Sequence, residues 1–177
     1  MPENSLLRDA QPEDAEVVSI LLVQAMGSLA SSFTSGADYS EQIALFRKFF
    51  KEKHNQYSYQ NTIVCIKNDK VIGSVNGYDG SLLKILRTDF SNYIHDKYGF
   101  VFPNDSDETC PGEFYVDCVS VLKEFQGKGV GSSLINAMTE RAKSKEISKI
   151  GLLVDTSNEK AFTLYQKLGF EIVEKKF

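Results

Sequence analysis

The chain has 177 residues, a length that suits one domain with a sizeable core and is short for two. Hydrophobic residues make up 42% and charged residues 25%, as in an ordinary globular protein. Lys plus Arg number 20 and Asp plus Glu number 24, so the net charge of −4 argues against a surface that coats nucleic acid. Apolar runs are too short to span a bilayer, and the N-terminal stretch has no signal-peptide pattern, so we expect a cytoplasmic protein without nucleic-acid or membrane partners.

The three cysteines, Cys65, Cys110 and Cys118, are odd in number and have no CxxC spacing. Cys65 and Cys118 lie in apolar runs that are typical of strands. We therefore expect buried free thiols in a reducing compartment and not a framework of disulfides.

Strands and helices are predicted along the whole chain. Apolar residues three and four positions apart predict the helices, and short β-branched runs predict the strands. In chain order the predictions are a strand at 6–10, a helix from Pro12 to about Leu22 that the Ser- and Gly-rich stretch 27–36 breaks, a helix at 40–51, a hairpin of 62–66 and 71–75, a helix at 81–98, a buried strand at 114–121, a helix at 132–145, a buried strand at 150–154, a helix from a capping box at 156–159 to Leu168, and a last strand at 170–173. This order is typical of a mixed α/β domain.

Gly127, Gly129 and Gly131 stand within five residues, between a predicted strand and the next helix. Glycine loses much backbone entropy on folding, so the cluster needs a local reason. A Walker A loop is excluded because Lys128 is followed by glycine instead of Ser or Thr. A dinucleotide-binding turn, with Asp155 on the ribose, and a flexible connector fit the spacing less well. An anion site fits best, since glycine amides at a helix N-terminus bind a pyrophosphate.

The stretch Gln126-x-x-Gly129-x-Gly131 resembles the acyl-CoA-binding signature Q/R-x-x-G-x-G/A of the GNAT superfamily of N-acyltransferases. Residues 158–170, NEKAFTLYQKLGF, are similar to the second signature of that superfamily, N-x-x-A-x-x-L-Y-x-x-x-G-F. The two signatures occur in the right order, separated by one predicted helix and one predicted strand. Together they are far more specific than either alone.

The close resemblance covers about residues 114–170, and residues 6–78 agree with the family only in the order of elements. Residues 80–112 match nothing in the family and form an insertion. The resemblance implies a single GNAT-like acetyltransferase domain over residues 1–177. Its fold would be a mixed, mostly antiparallel central sheet flanked by helices, with parallel splayed strands at a CoA slot and an inserted helix between the third and fourth strands.

By resemblance, the glycine loop holds the pyrophosphate of acetyl-CoA, the expected acyl donor. Lys128 either adds charge near the phosphates or is a solvated loop lysine. Val119 and Val121 pair with the pantetheine through main-chain groups, and an amide near Val119 polarises the thioester carbonyl. Asn158 caps the last helix, and whether it also touches the cofactor stays open. The implied cofactor-binding residues are Val119, Val121, Gln126, Gly127, Lys128, Gly129, Gly131, Ser132 and Asn158.

Tyr165 stands where the family often has the general acid that protonates the CoA thiolate, although it also belongs to a packed helical stripe. Asp117, a lone acid on a buried strand, is the candidate base. The alternatives are a carboxylate that is only hydrogen-bonded to its neighbours and a positioned water as base. Strand alternation predicts that Cys118 faces away from Asp117, which disfavours an acyl-cysteine route. His54 and His95 are isolated and are expected to lie away from the chemistry.

The insertion is expected to wall the acceptor site, where its acids would favour a cationic acceptor such as a polyamine or a lysine side chain. It could instead cover a sheet edge or form a dimer contact. It carries the aromatic residues Phe90, Tyr93, Tyr98, Phe100 and Phe102 and then the acids Asp105, Asp107 and Glu108.

The sequence thus predicts an enzyme in which the primary amine of a small molecule or a peptide attacks acetyl-CoA directly, in a ternary complex and without a metal. A homodimer stays open. A CoA-binding sensor or interaction module without catalysis is the first alternative. A dinucleotide-binding oxidoreductase is the second.

Overall fold

The structure is a computed structural model of the chain, and it describes residues 1–103 and 107–175. The helices are α1 Ala15–Met26, α2 Ser28–Phe33, α3 Tyr39–Lys51, α4 Leu83–Tyr98, α5 Val130–Ser144 and α6 Glu159–Lys167. The strands are β1 Ser5–Asp9, β2 Thr62–Lys67, β3 Lys70–Asp79, β4 Glu113–Val121 and β5 Lys149–Leu152. Short 3-10 helices occupy Pro12–Asp14, Tyr59–Asn61, Gly80–Leu82 and Lys123–Phe125.

The five strands form one sheet in the order β1-β2-β3-β4-β5. Neighbouring strands are antiparallel except β4 and β5, which are parallel. This parallel pairing is short and ends where Val116 lies opposite Leu152. The second half of β4 therefore has no strand partner on the β5 side. The mostly antiparallel sheet, its parallel pair and the helix inserted between the third and fourth strands are as predicted.

Helices pack on both faces of the sheet, and two hydrophobic cores result. On one face α1, α2, α3 and α4 enclose a core that includes Leu22, Phe33, Phe46, Phe90 and Ile94. On the other face α5 packs over the sheet around Val75, Phe114, Val116, Leu134 and Met138. α5 lies close to β3 at Gly73, where the absence of a side chain makes room for it: a Cβ on this residue would lie only 3.2 Å from side chains of α5.

The inserted helix α4 is an integral part of the first core. Phe90 has no exposed surface, and its ring lies 5.3 Å from that of Phe33, 5.0 Å from that of Phe49 and 4.7 Å from that of Tyr57, measured between centroids. Gly99, with φ of 71°, ends the helix as predicted. Since the sheet edges are β1 and β5, these contacts with α2 and α3 do not cover an edge.

The predicted break at 27–36 is only partly right. Gly27 does end α1, with φ of 55°, but the chain then forms the short helix α2. Two of the helix's side chains, Ala30 and Phe33, are buried in the first core, and this burial stabilises a segment whose Ser-rich composition indicates a loop.

The predictions for the C-terminal strands are wrong in two respects. β5 ends at Leu152 and is half-buried, not fully buried, because it is the edge strand of the sheet. The segment 170–173 forms no strand in the part of the chain that the structure describes, and Val173 is 96% exposed. Its β-branched residues have no neighbouring strand with which to pair, and strand propensity alone does not hold a strand in place.

All three cysteines are free thiols; Cys65 and Cys118 are buried and Cys110 is exposed. Two buried free thiols are thus confirmed. Within residues 1–103 and 107–175, no helix combines the length and apolar character that crossing a membrane requires.

Candidate active site

The loop between β4 and α5 passes twice through left-handed backbone. Gly127 has φ of 72° and Gly129 has φ of 81°, conformations that other residues adopt only with strain. Gly129 is the N-cap of α5, so the amides of Val130, Gly131 and Ser132 have no carbonyl partner within the helix. The amides of the two left-handed glycines make no turn or loop hydrogen bond within the described chain. The loop therefore offers a row of backbone donors of the kind that binds phosphate groups.

Two side chains near this loop make contacts of their own. Gln126 Nε2 donates a hydrogen bond to the Val121 carbonyl over 3.0 Å, which ties the loop to the end of β4. Lys128 Nζ lies 5.5 Å from the centroid of the Phe125 ring, on the exposed surface of the loop.

The open side of β4 presents main-chain groups to the gap beside β5. Leu122 N donates to the Ile72 carbonyl over 2.9 Å. Because hydrogen-bonded pairs alternate along antiparallel strands, the amides of Val119 and Val121 face away from β3. They face the side where the pairing with β5 has already ended. The structure thus places both residues where an extended ligand could pair with them.

Gln24, on α1, was missed by the sequence analysis. Its Nε2 donates to Ser120 Oγ over 2.7 Å and to the Val121 carbonyl over 3.0 Å. Val121 O therefore accepts from two glutamine side chains, Gln24 and Gln126. A solvent-exposed glutamine in a helix carries no sequence signal for this contact, because its partner lies in a distant strand.

β4 contains a bulge at Asp117. The register against β3 shifts between Asn76, which lies opposite Cys118, and Gly77, which lies opposite Val116, so that Asp117 is the extra residue. The bulge makes the predicted alternation wrong. Cys118 does not face away from Asp117, since its Sγ donates to Asp117 Oδ1 over 3.7 Å.

The Asp117 carboxylate lies in a hydrogen-bonded pocket. Its Oδ2 accepts from Tyr78 Oη over 2.9 Å and from Gln56 Nε2 over 3.3 Å. Burial raises the pKa of the Asp117 carboxyl above its ordinary value, while these hydrogen bonds and the charge of Arg87 act in the opposite direction. Burial and the Asp117 charge also raise the pKa of Cys118, which keeps its thiol protonated and un-nucleophilic.

A cavity of about 250 Å³ adjoins Asp117, where β4 and β5 separate. Leu153 and Asp155 line it from the chain after β5, and the ends of α1 and α2 line it from above. The insertion contributes Arg87, Phe102 and Glu108 to the lining. The predicted acid Asp105 lies outside the described residues. A larger open groove of about 590 Å³ beside the β2–β3 turn contains none of the predicted site residues.

Asn158 directly precedes α6, and Tyr165 lies within this helix. Tyr165 is buried and packs on Phe170, and its hydroxyl has no hydrogen-bond partner among residues 1–103 and 107–175. Burial, with a smaller effect of Cys118, raises the pKa of the Tyr165 phenol and keeps it protonated. Asn158 accepts from Ala161 N over 3.1 Å and is the N-cap. The predicted capping box with a Thr N-cap is therefore wrong.

Three further residues around Asp117 were not predicted from the sequence: Gln56, Tyr78 and Arg87. Arg87 had a detectable signal, because the buried face of α4 is Leu83, Arg87, Phe90 and Ile94, and an arginine in such a stripe needs a partner. Both histidines are exposed, as expected. The described chain holds no group of three or more His, Cys, Asp or Glu side chains arranged for a metal.

The strand that separates from its parallel neighbour and the glycine-rich helix N-terminus after it lie within the part of the chain that a family model matches. Residues 23–170 match the family described as the acetyltransferase (GNAT) family. The chain belongs to this family.

Individual relatives are similar over parts of the chain. Mycothiol acetyltransferase of Paenarthrobacter aurescens is 40% identical over 70 residues, which are 40% of this chain and 21% of the relative. The probable spermine N(1)-acetyltransferase of Bacillus subtilis subsp. natto is 28% identical over 123 residues, 66% of this chain and 74% of the relative. The mycothiol acetyltransferases are thus matched over only 17% to 30% of their length.

A solved structure of the same fold, described as an acetyltransferase, has a TM-score of 0.78 at 29% identity. The superposition covers 96% of this chain and 90% of the chain in that structure. The resemblance therefore extends over the insertion as well as over the two signatures.

Proposed function

We propose that the whole chain acts as one domain that transfers an acetyl group from acetyl-CoA to a primary amine, by direct attack in a ternary complex. One observation carries the proposal: the open side of β4 connects the donor row of the glycine loop with the cavity at Asp117. A carrier paired with Val119 and Val121 would have its diphosphate at the loop and its acyl group beside the cavity.

The cofactor would be held mainly by main-chain groups. The loop amides and the helix dipole of α5 supply the phosphate site, and Lys128 is exposed near it. Asn158 already caps α6, so we assign it to shaping the loop beside the cofactor. The residues proposed to bind acetyl-CoA directly are Val119, Val121, Gln126, Gly127, Lys128, Gly129, Gly131 and Ser132, and Asn158 is proposed to support this cofactor site through the loop.

Two side chains would transfer protons in the reaction, Asp117 as the base and Tyr165 as the acid. A primary amine with a pKa near 10 arrives protonated, and Asp117 takes its proton directly or through a water. The neutral nitrogen attacks the thioester carbon, and an amide near Val119 stabilises the negative oxygen that forms. The carbon–sulfur bond then breaks, and the Tyr165 phenol, which burial keeps protonated, gives its proton to the CoA thiolate. The second proton of the attacking nitrogen leaves as the amide forms and returns through water to the Tyr165 phenolate.

The acceptor would be a small cationic amine. Three acids line the cavity, Glu108, Asp117 and Asp155, and the lining residues that the structure describes include one cation, Arg87. A volume of about 250 Å³ accommodates a polyamine or the end of a lysine side chain. The spermine named for the B. subtilis relative belongs to the same chemical class.

Thermal unfolding with acetyl-CoA, with CoA and with NAD tests the cofactor first. Acetyl-CoA at a hundred times its dissociation constant should stabilise the fold by about 2.7 kcal/mol. Release of the CoA thiol is then measured with a panel of polyamines, aminoglycosides and lysine peptides. Stabilisation by NAD alone would favour an oxidoreductase, and stabilisation by CoA without thiol release from any amine would favour a non-catalytic binding module.

A further inference from the structure

Arg87 is a charged residue in a buried position of the inserted helix α4. It occupies the buried face together with Leu83, Phe90 and Ile94, and only 7% of its surface is exposed. A guanidinium group in such a place destabilises the fold unless its charge and its donors are matched. The partners of Arg87 therefore indicate why this position is not apolar.

The contacts of Arg87 lead to the bulge of β4. Its Nε donates to Gln56 Oε1 over 3.2 Å, and Gln56 Nε2 donates to Asp117 Oδ2 over 3.3 Å. Its Nη2 donates to Glu108 Oε2 over 2.5 Å, and its guanidinium carbon lies 4.7 Å from the centre of the Phe102 ring. One network thus joins the insertion to the proposed base.

The network has a fixed polarity. A guanidinium only donates hydrogen bonds, so Arg87 holds the oxygen of the Gln56 amide and turns its NH₂ group toward Asp117. Gln56 is 1% exposed, and its backbone N donates to the Leu86 carbonyl on α4 over 3.0 Å, which restricts other orientations. Two donors, Gln56 and Tyr78, therefore face the same carboxylate oxygen, an arrangement that matches the ionised acid.

We propose that Arg87 is a positioning residue for acetyl transfer: through Gln56 it holds Asp117 as an ionised acceptor that faces the cavity. This inference rests on the proposed function. The insertion would then do more than wall the acceptor site, since it supplies the charge that keeps the carboxylate at the bulge usable as a base.

The other groups that face Asp117 do not replace this charge. Burial raises the pKa values of the neighbouring phenols and of the thiol, so these groups stay uncharged at neutral pH. Hydrogen bonds from Ser157 lower the pKa of Asp155, which stays negative. Among residues 1–103 and 107–175, the titratable and charged groups around Asp117 are Tyr57, Tyr78, Arg87, Glu108, Tyr115, Cys118 and Asp155.

The first test is the pH dependence of kcat/KM with the best amine of the panel. Without Arg87 the carboxylates Glu108 and Asp155 both raise the pKa of Asp117, so Arg87→Gln should shift the acidic limb upward by about one pH unit. Arg87→Lys, which keeps the charge, should restore most of the shift. The double variant Arg87→Gln/Glu108→Gln removes both charges of the pair and should lie between Arg87→Gln and the wild type.

Lys97→Gln is the matched control, because Lys97 is also a cation of α4 with an ion pair, to Glu41, and is not a cavity residue. It should leave the limb in place. An unshifted limb in a folded Arg87→Gln protein, or an equal shift in Lys97→Gln, would overturn the proposal.

A second measurement does not depend on turnover. In protein labelled with ¹³C at aspartate carboxyl carbons, the signal missing from Asp117→Asn reports the titration of Asp117. Its midpoint should rise in Arg87→Gln and also in Gln56→Met, which breaks the link but keeps the ion pair of Arg87. If Arg87→Gln does not fold, Gln56→Met decides, and an unchanged midpoint contradicts the proposal. Absent thiol release in the wild type would instead contradict the proposed function and leave this titration readable.

Discussion

The two ends of the open side of β4 are built in different ways. The glycine-loop end consists of consecutive residues, 126–132, and offers backbone amides. The cavity end is made of side chains from β3, β4, α4 and the loops around residues 56, 108 and 155. A backbone site depends on φ angles and tolerates many side chains, whereas a side-chain site depends on the identity and polarity of each group. Variants at the two ends should therefore fail in different measurements.

The largest effect is expected at the cavity end. Asp117→Asn removes the group proposed to accept the amine proton and should lower kcat/KM by roughly 10²–10⁴-fold, with the acetyl-CoA dissociation constant unchanged. Asp69→Asn, on the exposed β2–β3 turn, is the control. A loss of less than threefold in Asp117→Asn would mean that a water or another group is the base.

The same variant makes a stability prediction. The pKa of Asp117 is raised in the folded state, so the unfolded chain releases this proton at lower pH. The stability that the protonated group contributes is therefore lost as the pH rises from the pKa of the unfolded state through the pKa of the folded state. Asn does not titrate. As the pH rises above the ordinary carboxyl pKa, the Tm of Asp117→Asn should therefore increase relative to that of the wild type, which calorimetry can measure.

The next effect is expected on α6, at Tyr165. Tyr165→Phe should lower kcat by roughly 10–100-fold, because CoA must leave as an unprotonated thiolate, while acetyl-CoA affinity stays the same. Its Tm should change little, since the described chain offers the hydroxyl no hydrogen bond to lose. Tyr59→Phe, at a half-buried tyrosine that is not a cavity residue, is the control. An unchanged kcat in rapid-quench turnover would remove Tyr165 from the mechanism.

At the glycine-loop end, Gly129→Ala should weaken acetyl-CoA binding by roughly tenfold. An L-residue at φ of 81° costs about 1–2 kcal/mol, and relief of that strain would turn the loop amides. Gly36→Ala is the matched control, because Gly36 has φ of 79° with open space around it and lies far along the chain from the loop. Both variants should lose stability in denaturant, but only Gly129→Ala should change the calorimetric dissociation constant. Equal affinities would argue against a backbone phosphate site.

The smallest effect concerns Gln24. Its amide occupies the Val121 carbonyl, which a pantetheine amide would need, so Gln24→Ala should tighten acetyl-CoA binding by about two- to fivefold. Gln60→Ala, at an exposed glutamine away from β4, serves as control. Weaker binding in Gln24→Ala would show that Gln24 contacts the cofactor instead of competing with it.

Local patterns carried the prediction of the glycine-loop end. The helix that follows it, its buried stripe and the glycines themselves lie within a short stretch, so their spacing is visible without the fold. The strand predicted at 170–173 fails for the converse reason: its β-branched residues are a local signal, but pairing needs a neighbour that the described residues do not supply.

The bulge at Asp117 illustrates what spacing cannot show. Nothing in the run FYVDCVSV distinguishes a regular strand from a bulged one, because the extra residue is defined by the register against β3, where Gly77 lies opposite Val116. The error about Cys118 followed directly from the assumption of regular alternation.

The sequence by itself determined the family and most of the order of elements, because consecutive residues encode both, and it predicted the backbone end of the site from adjacent residues. Only the tertiary structure decided what surrounds Asp117. Gln56, Tyr78, Arg87 and Glu108 come from separate segments, and each looks like an ordinary polar residue until the fold brings it into the network at Asp117. Burial then makes their charges and hydrogen bonds interdependent, and that dependence is a property of the assembled fold.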